Sequence, residues 1–399
     1  MICLLLGRSN KVKNLAILIP TLSIGGAERV AANLSIGLSR YYNVFIIVYN
    51  RTENEYAHND NIICLESKFY KGVLGKAYGF FKKIFQIRKI KKEYNIDISL
   101  SLLDMPSILN ILSRYRDKVI VSVRNYKSRE VNGITGKIDK MMISTFYNKA
   151  DLVIACSELI KEDMIENFNV KREKIITIYN PYNIEDIKEK CKEEISDYDV
   201  NNKKFIVNVG RLTNQKGQDH LLRAFKIVKQ SIADINLVIV GVGELEESLK
   251  KLAIDLGIFD SVFFVGFEKN PFKFIDKSEV YVLSSLFEGF PNTMLEAMIC
   301  GAPIVSTDCK SGPREILCDI YDKNKVYNKF TEADYGIITP DFVESNNIES
   351  CEKELAEAII LLLKNDELKK HYSKKSKSRG DEFSLSSISD KYYSELEKL

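Results

Sequence analysis

The chain has 399 residues, of which 45% are hydrophobic and 28% are charged, and its formal net charge is +3. This composition is ordinary for a soluble globular protein, and the length exceeds what one hydrophobic core usually serves, so two domains of about 200 residues are expected. No stretch approaches the ~20 apolar residues that span a bilayer, and the run Met1 to Leu6 is too short for a signal peptide, so we expect a cytoplasmic protein.

The eight cysteines are scattered along the chain without a Cys-x-x-Cys pair, and only three histidines accompany them. A disulfide framework or a zinc site would require closer, patterned spacing. The sequence therefore predicts reduced, mostly buried thiols and no structural metal.

Short runs rich in Ile and Val alternate with longer helical patterns throughout the chain, and then the pattern starts again. Near-continuous apolar strands separated by helices are typical of a parallel sheet that is covered on both faces. The first series of predicted strands is 15–19, 44–48, 98–102, 119–123, 152–156 and 175–179. The second series is 205–209, 237–240, 262–265, 280–283 and 303–306.

The predicted fold class is α/β, with two doubly wound parallel-sheet domains facing one another across a cleft. Asn180-Pro181-Tyr182-Asn183 and the charged run after it separate the two series. We therefore predict a first domain at 1–183 and a second domain at 184–382. The segment 383–399 is amphipathic and is predicted to form a helix that crosses back to the first domain.

The loop after the first strand reads Ser23-Ile24-Gly25-Gly26-Ala27-Glu28-Arg29 and precedes a helical pattern. Paired glycines allow positive φ and let backbone amides approach a phosphate at a helix N-terminus. Alone, the loop is equally consistent with a tight strand-to-helix turn.

A basic amphipathic segment at 71–94 follows in the first half. Residues 68–92 contain nine Lys or Arg and no Asp or Glu, and 1–183 as a whole carries 28 basic and 17 acidic residues. The apolar positions recur at helical spacing: Leu74, Ala77, Phe81, Ile84, Ile87, Ile90 and Tyr94. One interpretation is a helix that covers the sheet with a solvated cationic side. The other is attachment to an anionic membrane, for which the candidate residues are Lys76, Lys82, Lys83, Arg88 and Lys89. No nucleic-acid module accompanies this charge.

In the second half, the loop after the strand 205–209 carries Gly210, Arg211 and Lys216. Two cations and a glycine directly after a strand favour binding of a diphosphate, although the Walker A order is missing. The next loop, Gly241-Val242-Gly243, lacks the rest of a dinucleotide fingerprint, and we interpret it as a close-approach loop.

The segment 285–298 is the most informative of the chain and reads Ser-Leu-Phe-Glu-Gly-Phe-Pro-Asn-Thr-Met-Leu-Glu-Ala-Met. Pro291 favours a helical first turn that Asn292 or Thr293 can cap, so Glu288 lies before a helix and Glu296 just inside it. Free N–H groups at a helix start, flanked by two carboxylates, suit a ligand that is half diphosphate and half sugar.

These motifs, together with Ser311-Gly312-Pro313-Arg314-Glu315, resemble the retaining glycosyltransferases of family 4 over nearly the whole chain. The resemblance implies the GT-B fold and, within the family, enzymes of surface-polysaccharide, O-antigen and lipid-linked glycan precursor assembly. It also implies transfer of a hexose or N-acetylhexosamine from a nucleotide sugar, UDP-linked in some members, to a glycan on polyprenyl diphosphate. The donor is a substrate, and no cofactor or metal ion is expected.

The resemblance also assigns roles: the N-terminal domain at 1–183 would bind the acceptor, and the domain at 184–382 would bind the nucleotide sugar. Arg211 and Lys216 would neutralise the donor diphosphate, and Glu288 would orient the donor sugar; these three are the candidate catalytic residues. Glu296 would bind ribose hydroxyls. The remaining donor contacts would come from Gly25, Gly26, Gly210, Asn292, Thr293 and Leu295.

Two features depart from the family pattern. Many members have a histidine after the strand 119–123, where this chain has Arg124, which would meet the donor sugar or an acceptor phosphate. The sole Asp-x-Asp, Asp197-Tyr198-Asp199, lies in a polar stretch that we interpret as a charged linker.

One alternative function is excluded and two stay open at this point. A carboxylate pair also suggests a glycosidase, but that chemistry gives Arg211 and Lys216 no role. The same scaffold would also serve a sugar-nucleotide 2-epimerase or a non-catalytic partner subunit. The basic first half favours a lipid-linked acceptor at the inner face of the cytoplasmic membrane.

Overall fold

The structure is a computed structural model that describes residues 12–23, 25–53, 55–130, 133–196, 200, 203–345 and 347–399. The Met1 to Leu6 run and the Asp197-Tyr198-Asp199 sequence lie outside these residues. Two seven-stranded sheets organise the chain, and the predicted α/β class with two parallel-sheet domains is confirmed.

The first sheet has the strand order β3-β2-β1-β4-β5-β6-β7, and all its strands run parallel. Its strands are β1 (Asn14–Ile19), β2 (Asn43–Val48), β3 (Ile62–Cys64), β4 (Ile98–Leu102), β5 (Lys118–Val123), β6 (Leu152–Ala155) and β7 (Ile175–Thr177). Its helices are α1 (Gly26–Leu38), α2 (Gly72–Glu93), α3 (Asp104–Leu112), α4 (Lys127–Glu130), α5 (Gly133–Phe146), α6 (Glu158–Phe168) and α7 (Ile184–Lys190).

The second sheet has the order β10-β9-β8-β11-β12-β14-β13, with only β13 antiparallel to its neighbour. Its strands are β8 (Phe205–Val209), β9 (Asn236–Val240), β10 (Val262–Gly266), β11 (Val280–Leu283), β12 (Ile304–Thr307), β13 (Thr331–Glu332) and β14 (Ile337–Thr339). The helices are α8 (Gln218–Ser231), α9 (Glu246–Asp255), α10 (Phe272–Lys277), α11 (Asn292–Cys300), α12 (Pro313–Leu317), α13 (Ile348–Lys364), α14 (Asp366–Asp381) and α15 (Leu385–Leu396).

The chain passes between the two sheets twice, near Tyr182 and again near Phe383. The two passages are hydrogen-bonded to each other: Tyr182 N donates to Phe383 O at 3.0 Å, and Leu385 N donates to Tyr182 O at 2.8 Å. After the second passage, α15 packs on α1 of the first sheet, where the rings of Tyr41 and Tyr393 stack 4.3 Å apart. The boundary between residues 183 and 184 falls between the sheets and stays a prediction.

Helix α2 differs from the expected single apolar face. Its second half covers the sheet, where Ile87 is fully buried and Lys91 donates to Asp117 Oδ2 at 2.8 Å inside the protein. In the first half, Leu74 is 87% exposed and Phe81 is 58% exposed. On another side of this half, Tyr70 packs against Gly79, where an added Cβ would lie 2.8 Å from the Tyr70 ring.

Candidate active site

A cavity of about 540 Å³ lies between the two sheets, at the loops that follow β1, β5, β8, β9 and β11. This is the edge at which ligands bind in doubly wound folds, since the carboxyl ends of parallel strands meet there. The cavity brings together most of the residues singled out in the sequence: Gly25, Gly26, Arg124, Gly210, Arg211, Lys216, Glu288, Asn292, Thr293 and Glu296.

Lys216 and Glu288 form an ion pair on the second-sheet side of this cavity. Lys216 Nζ donates to Glu288 Oε1 at 2.6 Å, and Ser285 Oγ donates to the same oxygen at 2.6 Å. Glu288 N donates to Lys310 O at 2.5 Å, which holds the backbone of its loop against the loop after β12. Both side chains are largely buried, so the pair is preorganised in a site of low dielectric.

Arg211 is exposed in the cavity and lies opposite Glu28 of the first-sheet loop. Burial raises the pKa of the Glu28 carboxyl, while its own backbone N–H and the charge of Arg211 act in the opposite direction. The loops of the two sheets therefore face each other with opposite charges across the space that a ligand would fill.

The paired glycines allow neighbouring side chains to approach the backbone closely, and neither of them has the expected positive φ. Gly25 has φ −145° and precedes α1, and an added Cβ would lie 1.9 Å from Glu28 Oε2. At Gly26, a Cβ would lie 2.7 Å from Asn292 Nδ2 of the opposite domain. Larger side chains at these positions would push the carboxylate of Glu28 or the start of α11 away.

The prediction that Asn292 or Thr293 caps the start of α11 is wrong. Pro291 is the N-cap residue, and both candidate side chains are used elsewhere. Asn292 Oδ1 accepts from Asn180 Nδ2 at 2.7 Å and from Tyr182 OH at 2.6 Å. The Thr293 hydroxyl accepts from a neighbouring tyrosine of β11 at 2.8 Å. The helix start is thus held by side chains from the chain passage between the sheets.

Leu295 does not line the cavity. Its side chain is fully buried, and its N–H donates to Pro291 O at 3.3 Å. Any backbone amide available to a ligand at this helix start therefore lies at Asn292 or Thr293.

Glu296 is fully buried and pairs with Arg29, which reaches it from the first domain. Oε1 of the carboxylate accepts from Arg29 Nη1, whereas Oε2 has no hydrogen-bond partner among the described residues. Burial raises the pKa of Glu296, and the charge of Arg29 opposes that shift.

Arg124 lies in the cavity wall with 8% of its surface exposed. Its guanidinium donates through Nη1 to Asn180 Oδ1 and through Nη2 to Tyr392 OH at 2.9 Å, while Nε is buried without a partner in the described chain. These contacts tie β5, the passage between sheets and α15 to one side chain.

The five candidate membrane cations lie on α2, and none of them lines the cavity. Lys76, Arg88 and Lys89 are exposed, whereas Lys82 donates to Tyr70 OH at 3.3 Å and Lys83 lies 4.8 Å from the centre of the Tyr49 ring.

Several residues of the cavity received no role in the sequence analysis, although some of them were quoted there. Glu28 and Arg29 belong to the glycine loop, but only its glycines received roles. Asn180 lies in the segment interpreted as a domain boundary. Tyr56 lies in the loop after the strand 44–48, and no residue of that loop received a role. A charged Glu-Arg pair directly after a phosphate-type glycine loop was the available signal.

Within the described part of the chain, no cluster of three or more His, Cys, Asp or Glu side chains is placed to hold a metal ion. None of the described helices combines the length and the hydropathy that crossing a bilayer requires.

Comparison with known proteins identifies the family. The model for "Glycosyltransferase Family 4" matches residues 24–186, and that for "Glycosyl transferases group 1" matches residues 178–334. A Campylobacter jejuni N-acetylgalactosamine-N,N'-diacetylbacillosaminyl-diphospho-undecaprenol 4-alpha-N-acetylgalactosaminyltransferase is 31% identical, over 93% of this chain and 96% of the relative. An uncharacterized glycosyltransferase of Methanocaldococcus jannaschii is also 31% identical, over 84% of this chain and 87% of the relative.

Among solved structures, Anabaena HepE in complex with UDP and glucose superposes with a TM-score of 0.74 at 17% identity, covering 96% of this chain and 99% of HepE. Sucrose-phosphate synthase from Thermosynechococcus elongatus superposes with a TM-score of 0.75 at 15% identity, covering 97% of this chain and 98% of the synthase. Both share the fold. With two facing sheets, a cleft between them and sequence matches along nearly its whole length, the chain belongs to the family 4 glycosyltransferases of the GT-B fold.

Proposed function

We propose that the protein transfers a hexose or N-acetylhexosamine from a UDP-linked sugar, with retention of anomeric configuration and without a bound metal ion. The proposed acceptor is a glycan carried on polyprenyl diphosphate, in the assembly of a surface polysaccharide or glycan precursor. The observation that carries the proposal is the cavity in which Arg211, Lys216 and the start of α11 meet two buried carboxylates.

The charges of this cavity support a diphosphate donor. Lys216 and Arg211 lie on the loop after β8 and line the same cavity as the start of α11, where the helix dipole favours an anion. Negative charge grows on the leaving diphosphate as the glycosidic bond breaks, so cations held there stabilise the transition state more than the ground state.

Glu288 is proposed to act on the donor sugar. Lys216 and Ser285 both donate to its Oε1, which fixes the carboxylate and leaves its second oxygen for a sugar hydroxyl or for positive charge at the anomeric carbon. The same lysine would therefore contact the diphosphate and orient the carboxylate beside it.

The names of relatives support the acceptor class. The C. jejuni relative named above and a second C. jejuni N-acetylgalactosaminyltransferase, 25% identical over 95% of this chain, are both named for diphospho-undecaprenol-linked acceptors. HepE is crystallised with UDP; at 17% identity this likeness establishes the shared fold, and the choice of UDP for this chain is part of our proposal.

Labelled UDP-hexose and UDP-N-acetylhexosamine, each incubated with the protein and a membrane extract, test the proposed reaction. Label in the lipid fraction, with an α-linked product by NMR from an α-linked donor, is the expected result. Epimerised nucleotide without transfer would indicate the 2-epimerase, and neither product would indicate a non-catalytic subunit; both outcomes contradict the proposal. Glu288→Gln serves as the inactive control.

We also propose that the first domain contacts an anionic membrane through α2. The exposed side chains Leu74, Tyr78, Phe81 and Phe85 are spaced by four, three and four residues, so they form one stripe along the helix. The cations of α2 flank this stripe, and no acidic residue interrupts the segment 68–92. An amphipathic helix of this kind binds at a lipid interface because its aromatic and apolar side chains insert between the lipids and its lysines attract anionic headgroups.

Flotation with vesicles tests the membrane contact. We expect the protein to float with vesicles that contain phosphatidylglycerol and to remain behind with phosphatidylcholine alone, because each cation near an anionic surface contributes about 1 kcal/mol. Tyr78→Ser combined with Phe81→Ser and Phe85→Ser should abolish flotation, whereas Phe259→Ser, which changes an exposed aromatic of the second domain, should not. Equal flotation with both lipids would contradict the electrostatic contact.

A further inference from the structure

Arg29 of α1 spans the cleft to reach the donor-side helix α11. Its Nη1 donates to Glu296 Oε1, and its guanidinium lies 4.8 Å from the centre of the Tyr56 ring and 5.7 Å from that of Phe272. One of these rings belongs to the first domain and the other to α10 of the second domain. The guanidinium is thus fixed between the domains by two aromatic rings and one carboxylate.

We propose that Arg29 is a positioning residue of the donor site, which holds the Glu296 carboxylate by one oxygen and leaves the other oxygen for the ribose hydroxyls of the nucleotide. The inference rests on the proposed function, in which Glu296 is the ribose contact. It adds a residue of the first domain to a subsite that otherwise belongs entirely to the second.

The burial of Glu296 makes this partner necessary. A fully buried carboxylate without a counter-charge takes up a proton, because ionisation in a low-dielectric interior is costly. Burial raises the pKa of Glu296, and the largest opposing effect comes from Arg29. Burial also acts to lower the pKa of Arg29, but Glu296 and Tyr56 more than offset this, so the guanidinium stays charged.

The other titratable groups that face Glu296 do not replace Arg29. Lys190 of α7 acts on it only through space, and its Nζ already donates to Asp186 Oδ2 at 2.7 Å. The remaining neighbours are Tyr182, Tyr281 and Cys300, whose pKa values are themselves raised, so they are uncharged near neutral pH.

The unpartnered oxygen points to the ligand chemistry. Oε2 of Glu296 is buried and has no hydrogen-bond partner among the described residues, and Glu296 lines the cavity. A buried acceptor without a donor is costly unless a ligand supplies one. A ribose offers two adjacent hydroxyl donors, which suits a single carboxylate oxygen of fixed orientation.

The affinity for UDP as a function of pH tests the inference. Calorimetric titration would give the dissociation constants of the wild type, Arg29→Gln and Arg29→Lys between about pH 6.5 and about pH 8.5. The ratio of variant to wild type cancels the ionisation of the nucleotide phosphate itself. For R29Q we expect a ratio of about tenfold or more at the lower pH that falls to about threefold or less at the higher pH, since one pKa unit is a factor of ten.

Comparison with other variants separates positioning from other roles. R29K keeps a cation and should give a ratio that does not change with pH. Arg40 follows the same helix, and its guanidinium donates to Ser386 Oγ. Arg40→Gln is the control and should bind UDP as the wild type does. In the double variant R29Q with Glu296→Gln, affinity should equal that of E296Q alone, because Arg29 acts through Glu296.

The outcomes are distinct. A loss of affinity in R29Q that is the same at every pH would mean direct contact with the nucleotide or a structural role, and would overturn the inference. Unchanged affinity in R29Q would also overturn it, while wild-type binding would leave the proposed function standing. Absence of UDP binding by the wild type would overturn the proposed donor, and the inference with it.

Discussion

Lys216 has two partners in the proposed reaction, the carboxylate of Glu288 and the diphosphate of the donor. The 2.6 Å ion pair with Glu288 balances its charge. Binding of a diphosphate adds a second anion. The lysine then contacts both the donor and the Glu288 carboxylate, and so fixes their positions relative to each other.

Lys216→Ala should reduce kcat by about 100-fold to 1,000-fold, the usual cost of removing one preorganised donor from a developing anion. Lys216→Arg should retain more activity than Lys216→Ala, because it keeps the charge. Initial rates with the labelled donor measure the effect. Lys226→Ala, at an exposed position of α8, is the matched control.

Unchanged transfer by Lys216→Ala would show that the diphosphate lies elsewhere. Thermal unfolding of the variant belongs to this experiment, since the substitution leaves the buried Glu288 without its counter-ion. A variant that unfolds at the wild-type temperature and has lost activity separates the chemical role from the structural one.

At the scale of elements, helix α2 combines a buried anchor with an exposed stripe. Lys91 is fully buried and donates to Asn110 Oδ1 at 2.6 Å and to Asp117 Oδ2 at 2.8 Å. Ser99 also donates to that aspartate. These bonds fasten the C-terminal end of α2 to the sheet, while its first half remains free to meet another surface.

Replacing the buried lysine of this anchor, Lys91→Met, should lower the free energy of unfolding by roughly 3–5 kcal/mol, because it leaves the buried Asp117 carboxylate without its counter-ion. Lys91→Met combined with Asp117→Asn should recover part of this loss, since no charge is then left unpaired. Urea unfolding gives both values. Additive losses in the double variant would show that the two side chains do not act as a pair.

The strands were predictable because buried parallel strands have near-continuous apolar runs. Three predicted strands, 98–102, 205–209 and 280–283, coincide with β4, β8 and β11, and the others agree to within one or two residues at an end. The missed strands β3, β13 and β14 have only two or three residues, too few for a periodic signal.

The site was predictable to the extent that it depends on topology. Loops after parallel strands meet at one edge, which is why the Glu288, Lys216 and Gly25 loops meet in the cavity. The pairing of Arg29 with Glu296 and of Asn180 with Asn292 joins the two domains, and nothing in sequence spacing determines how two separate sheets face each other. The same holds for the exposed stripe of α2, because helical spacing alone does not determine which half of the helix covers the sheet.

At the scale of the whole molecule, Glu315 joins the two domains. Its carboxylate, on α12, accepts from Glu158 N at 2.7 Å and from Leu159 N at 3.1 Å, at the start of α6 in the first domain. The nearby hydroxyls of Ser157 and Ser311 are 2.7 Å apart. Burial raises the pKa of the Glu315 carboxyl from its ordinary 4.5 to about 7, although the two N–H groups oppose this shift.

This raised pKa predicts a pH-dependent stability. The folded protein keeps the proton of Glu315 up to about pH 7, whereas the unfolded chain loses it near 4.5, so this contribution is full below 4.5 and is lost as the pH rises through 7. Glu315→Gln does not titrate. Its stability relative to the wild type should therefore increase with pH in this window, by at most about 3 kcal/mol.

Urea unfolding of Glu315→Gln and wild type at about pH 5 and about pH 8 measures the difference, and the pH interval follows from the two pKa values. Glu166→Gln, which changes an exposed carboxylate of α6, is the control and should show no comparable trend. Curves for Glu315→Gln and wild type that run parallel across this interval would contradict the prediction.

The two hydrogen-bonded passages at Tyr182 and Phe383 limit how the domains can move. A single covalent connection between the domains would allow them to rotate about any axis. Two adjacent segments, joined by hydrogen bonds of 3.0 Å and 2.8 Å, act instead as a hinge that favours rotation about one axis. Arg29 and Glu296 would then separate and meet again along a fixed arc, and the enzyme would return to the same alignment after every turnover.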